Sequence, residues 1–196
     1  MRLRDINKEQ NVKEKAAELL VNEGFQGFSM QKLAKACGIS VATLYIYYKH
    51  KDDLIKQLGI EHGNKMTQMT MKGFSPEMSF AEGLKKQWEN RAEYSIKFPL
   101  SYDLLEAIKH SPHSEYVLKM ITKEFSPTMR MFAQNAIENK QLKPMSAEVY
   151  WSIAFGPLNA LLRFHKDGRS LGNKPFKFSK ELMYEALENV LIALKP

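Results

Sequence analysis

The chain has 196 residues, 44% of them apolar, with a net charge of +7 and one cysteine. That length holds one domain or two small ones, with enough apolar material for a core. A single cysteine excludes an internal disulfide framework and fits a reducing cytoplasm. No apolar run approaches the ~20 residues that cross a bilayer. The opening MRLRDINKEQ lacks the apolar stretch of a secretion signal. A soluble cytoplasmic protein with no membrane partner is expected.

In chain order, the first periodic stretch is KAAELLVNEGF, with Ala16, Ala17, Leu19 and Leu20 ahead of Gly24. Residues 28–54, FSMQKLAKACGISVATLYIYYKHKDDL, then read as two short helices around a glycine turn. Ser29 can cap a helix over 30–37 by accepting from a backbone N–H of its first turn. Leu33, Ala34 and Cys37 share one face of it. Gly38 follows, where a helix end favours a left-handed residue. Ser40 caps a second helix over 41–48, in which Leu44 and Tyr48 can lock onto the first. Ala42, Thr43 and Tyr47 are left on another side, as in a recognition helix that meets a major groove.

Charge agrees locally. No acidic residue lies between Glu23 and Asp52, whereas Lys32, Lys35, Lys49 and Lys51 do. Phosphate contacts supply most nonspecific DNA affinity, so a basic window matters there. Residues 1–55 carry 9 basic and 7 acidic side chains, so the overall excess is not concentrated at this end. The local gap is the stronger signal. Lys32 and Lys35 read as a solvated face, and Cys37 as a small buried apolar residue.

Helices continue to the end with few strand signals. The spacing predicts one over 51–71, with Leu54, Leu58 and Met66 apolar, broken at Phe74-Ser75-Pro76. Another spans 77–98, ended by Pro99. A short helix at 102–109 stops near Ser111-Pro112. A long one over 114–139 contains Pro127, which kinks or splits it. A strongly apolar helix at 146–166 is bent near Gly156-Pro157. After a loop, 179–194 closes the chain with Leu182, Ala186, Val190 and Ala193 on one face. The fold class is all-α. No HExxH, GxSxG, P-loop or GxGxxG occurs, so neither an enzyme class nor a cofactor is implied. Glu106, His110 and His113 are spaced for a metal on one helix, but Pro112 interrupts it and no metal is expected.

The first 55 residues resemble the N-terminal domain of the TetR family of transcriptional regulators. The resemblance rests on Ala16, Ala17, Leu19, Leu20 and Gly24, then the Ser29 cap with Leu33 and Ala34. It continues through Gly38 into the run Ser40, Thr43, Leu44, Tyr45, Tyr47, Tyr48, Lys51 and Leu54. Ala42 stands where many members have Gly, and Cys37 where Ala is usual. The resemblance implies a three-helix helix-turn-helix DNA-binding domain over 1–52 and a helical regulatory and dimerisation domain over 53–196. It puts Gln31, Val41, Ala42 and Thr43 at base edges of double-stranded operator DNA, Tyr45 part contact and part packing, and Tyr47 and Lys51 on phosphates. Arg2 and Arg4 form a basic arm or a frayed terminus.

The same resemblance implies a homodimeric repressor of a pseudo-palindromic operator, released by a small-molecule effector of unknown identity. Trp88, Tyr94, Phe98, Phe125, Met129, Phe132, Trp151 and Phe155 are candidate lining for that effector. Trp151, Leu158, Leu162, Leu182, Ala186 and Val190 are candidate dimer contacts, because 146–166 is apolar round more than one face. The competing reading is an interaction adaptor whose helix-turn-helix head reads no DNA.

Overall fold

The computed structural model describes residues 6–196, apart from the side chains of Ile6, Asn7 and Glu124. Arg2 and Arg4 lie outside the described residues. Helices occupy most of the chain, and the one β-type pairing among the described residues is an isolated bridge between Arg169 and Pro175. The all-α expectation holds. In chain order the helices are α1 (Ile6–Gly27), α2 (Met30–Cys37), α3 (Val41–Tyr47), α4 (Lys51–Thr70) and α5 (Phe80–Lys97). They continue with α6 (Pro99–Lys109), α7 (Ser114–Glu138), α8 (Ala147–Asp167) and α9 (Lys180–Leu194).

Two compact units share these elements: among the described residues, one comprises 6–67 and 97–123, the other 68–96 and 124–196. In the first unit, Val12, Ala16 and Leu20 recur every fourth residue and bury one stripe of α1. They pack with Leu33 and Ala34 of α2, Leu44 of α3, Tyr48, and Leu54, Ile55 and Leu58 of α4, together with Leu104, Ile108, Val117 and Ile121. Tyr48 is 1% exposed and serves the core. Gly59 and Gly63 let α4 approach α7 without an intervening side chain. A Cβ at Gly59 would lie 2.9 Å from Val117 Cγ2, and one at Gly63 would overlap Ile121.

The second unit is built on α5, α8 and α9. Phe80, Leu84, Trp88 and Ala92 form one face of α5, packed with Phe132, Phe155, Leu158, Leu162, Met183, Leu187, Val190 and Leu194. The Trp88 indole donates to Ala154 O at 2.7 Å. Helices α7 and α8 each run through an internal proline, Pro127 and Pro157, without splitting. The buried stripe of α9 is Met183, Leu187, Val190 and Leu194. The spacing in the sequence predicts Leu182, Ala186 and Ala193 on the stripe with Val190. Leu182 is 38% exposed and Ala193 is exposed. The core thus selects the neighbouring set at helical spacing, with Val190 shared by both.

Candidate nucleic-acid interface

The reading head is shaped by short-range signals. Gly24 (φ 69°) breaks the end of α1, a conformation that costs an L side chain energy. The Ser29 hydroxyl accepts from Lys32 N at 3.2 Å and caps α2. Gly38 (φ 65°) ends α2 in the left-handed region, and its N–H reaches back to the Ala34 and Lys35 carbonyls. Ser40 accepts from Thr43 N at 3.1 Å and caps α3. Leu44 faces inward and is fully buried, which fixes the rotation of α3.

That rotation decides which predicted contacts face outward. Ala42 and Tyr45 are exposed, as is Gln31 on α2. Val41 and Tyr47 are half-buried against the core, with an edge remaining outward. Thr43 is half-buried, and its hydroxyl lies 2.9 Å from that of Ser40. Ile46 is 62% exposed on α3, more than Tyr45 at 53%. It was absent from the sequence-derived contacts, although it stands on the solvent side once Leu44 and Tyr48 point in. Lys35 and Lys49 are exposed, while Lys32 pairs with Glu23 at 2.5 Å. Cys37 is half-buried, and burial pushes its thiol up against the opposing pull of Lys15, so thiolate chemistry is disfavoured.

Lys51 is placed differently from the simple picture of a cation on a phosphate. Its Nζ donates to Phe25 O at 2.7 Å and Phe28 O at 2.8 Å, tying the start of α4 to the end of α1. An ammonium has three donors, so one remains. The neighbouring turn is closed reciprocally. His50 Nδ1 accepts from Asp53 N at 3.1 Å, and Asp53 Oδ2 accepts from Lys49 N at 2.9 Å. His113 Nε2 lies 3.4 Å from Asp52 Oδ1. Among the described residues no group of three His, Cys, Asp or Glu could hold a metal.

The predicted effector lining divides between the units. Trp88, Phe132 and Phe155 are core, at 0–1% exposure, and Phe125 and Met129 are half-buried. Tyr94 is also buried. Phe98 belongs to the first unit, beneath Lys65 Nζ at 3.6 Å. Trp151 is 42% exposed and lies with Phe155 against the Arg91 guanidinium. A groove of about 770 Å³ exists in the second unit, lined by Phe80, Leu191 and Ile192 with Lys140 and Lys195, and none of the predicted lining residues borders it.

Of the predicted dimer contacts, Leu158, Leu162 and Val190 fill the unit's own core at 0%, 3% and 4% exposure. Trp151 and Leu182 face outward, Ala186 is half-buried, and Val149 and Ile192 are further exposed apolar residues on the same two helices.

Residues 14–58 match the model of a family described as bacterial regulatory proteins, tetR family. An HTH-type transcriptional regulator of Haemophilus influenzae is 27% identical over 103 residues, which are 53% of this chain and 55% of that protein. The HTH-type transcriptional regulator YuxN of Bacillus subtilis is 28% identical over 153 residues, 74% of this chain and 51% of that one. The chain therefore spans about half the length of the curated relatives it matches. The crystal structure of a TetR family transcription regulator from Marinobacter aquaeolei VT8 has the same fold. Its TM-score is 0.79 at 24% identity, over 100% of this chain and 99% of that one.

Proposed function

We propose that this chain, which belongs to the tetR family of bacterial regulatory proteins through residues 14–58, is a DNA-binding transcriptional regulator acting as a ligand-responsive repressor. The observation that carries the reading is the rotation of α3: Leu44 is buried, so Ala42 and Tyr45 are presented outward beside Gln31 of α2. Residues 1–52 are the reading head and 53–196 the regulatory and dimerisation part. Gln31, Val41, Ala42, Thr43 and Tyr45 meet base edges, where Gln pairs with adenine and Val or Ala meets a thymine methyl. Tyr47 and the third donor of Lys51 meet phosphates, which position the head without carrying sequence.

One short helix reads few bases, so two copies bind a pseudo-palindromic operator with half-sites ~34–36 Å apart. The exposed Trp151 and Leu182 of α8 and α9 support a second copy as partner. An unidentified small molecule in the helical part releases the heads. Trp88, Phe125, Met129, Phe132, Trp151 and Phe155 of the second unit remain its candidate contacts. No helix among the described residues is long and apolar enough to cross a membrane, which agrees with work in the cytoplasm.

The deciding experiment is a gel shift of the protein against the DNA upstream of its own gene, at two salt concentrations, with competitor DNA. A discrete, competitor-resistant shift that weakens steeply with salt is expected. Failure there and on duplexes selected from a random pool would remove the repressor reading in favour of an interaction adaptor. Thr43→Ala is expected to relax sequence preference. If Tyr47→Ala combined with Lys51→Ala leaves operator binding untouched, the docking is wrong.

A further inference from the structure

The turn between α3 and α4 holds a histidine where a helix usually begins with a Ser, Thr, Asp or Asn cap. His50 O accepts from Leu54 N at 3.2 Å, as the residue before a first turn does. Its ring supplies the cap: Nδ1 accepts from Asp53 N at 3.1 Å. Asp53 answers by accepting from Lys49 N at 2.9 Å and from Gln57 Nε2 at 3.1 Å. A backbone N–H can only donate, so Nδ1 must keep its lone pair. The neutral ring then carries its proton on Nε2. Among the described residues that second nitrogen has no partner, and the side chain is exposed.

We propose that His50 is a backbone-contacting residue of the DNA interface, its cap fixing the tautomer that donates Nε2–H to an operator phosphate oxygen. The inference rests on the docking described above, in which α3 enters the groove and the turn after it borders the sugar-phosphate chain. A serine or aspartate cap spends its acceptor in the same way but offers no rigid donor on the far side of a ring. Here one planar group both starts α4 and faces outward between Tyr48 and Lys51. Lys49 beside it is exposed and adds a positive charge to the same edge. The contact is neutral, so it orients the head and contributes no counterion release of its own.

His50→Ser separates the two roles, because Ser retains a cap acceptor and its short side chain places no donor where the ring carries Nε2–H. At a pH where the ring is neutral, the variant should keep the wild-type melting temperature. It should bind the operator and a random-sequence duplex more weakly by the same factor, about 3–10-fold per head, with an unchanged salt slope. Equal affinity of variant and wild type overturns the proposal, as does a loss confined to the operator. Should the variant melt lower, imidazole ¹⁵N spectra of the wild-type protein decide instead. They should show His50 protonated on Nε2, with that resonance shifting when duplex is added. A proton on Nδ1, or no shift, refutes the contact. If the wild type binds no duplex in a salt-dependent manner, the regulator reading fails together with it.

Discussion

Replacing Lys51 by methionine keeps the aliphatic stem and removes the ammonium, which separates a fold-holding role from a DNA-holding one. The ammonium donates to Phe25 O and Phe28 O at 2.7 and 2.8 Å, bridging the end of α1 to the start of α4. Hydrogen bonds to a charged group net about 1.5–3 kcal/mol each. Lys51 is half-buried, so the lower end applies, and the pair is worth about 3 kcal/mol. At roughly 2–4 °C per kcal/mol for a chain of this size, the melting temperature should fall by about 6–12 °C. Circular dichroism at the helical band reads this in the absence of DNA. In the same variant the salt slope of duplex binding should fall by about one unit per head, through loss of the third donor. A melting temperature within about 2 °C of wild type would refute the carbonyl bridge and return Lys51 to solvent and phosphate alone.

Three further outcomes are expected. Gly63→Ala drives a Cβ into Ile121; overpacking costs about 1–3 kcal/mol against about 1 gained in helix propensity, so thermal melts should show a loss, and a rise would refute the close approach. The Tyr150 hydroxyl is buried without a partner among the described residues, and burial pushes its phenol from 10.0 up to about 12. Tyr150→Phe should therefore melt no lower than wild type at neutral pH. Because burial disfavours the ionised phenol, stability is unaffected by this group below 10 and is lost as pH rises from there to about 12, so the variant should also lose less stability on alkaline titration. The Lys49 N–H, and then Gln57, hold the Asp53 carboxyl below its ordinary 3.8. That carboxylate stabilises the fold above its unfolded value and ceases to as pH falls through the lower folded one. Asp53→Asn, which caps at every pH, should lose less melting temperature than wild type between neutrality and about pH 3; an equal loss would refute the cap.

The head was legible because its signals are local. Ser29, Gly38 and Ser40 each act within four residues of where they stand, and the helices they bound came out at 30–37 and 41–47 as read, the second one residue shorter. Helix starts without a noticed cap were displaced. Ser79 Oγ accepts from Glu82 N and donates to the Glu82 carboxylate, a side-chain cap that begins α5 at Phe80 rather than at 77. Pro99 opens α6 at its first position, where its missing N–H costs nothing, three residues before the expected start. What the sequence could not reveal is partnership across distance. Lys51 meets carbonyls 26 and 23 residues away. Which apolar face of α8 or α9 a chain keeps for itself depends on neighbours such as Trp88, 66 residues before Ala154.

The bare approach of α4 to α7 constrains how this sequence can drift. Ile121 is 5% exposed, and it occupies the space a side chain at 63 would need. Position 63 can therefore accept alanine only after 121 has lost the Cγ2 methyl that fills this space, as in Ile121→Leu, which on its own is a volume-conserving change. The reverse order passes through an overpacked protein. The two sites would then couple by about 0.5–3 kcal/mol in a double-mutant cycle. Descendants of this chain would change the pair in one order, with the loss of the β-branch on α7 coming first.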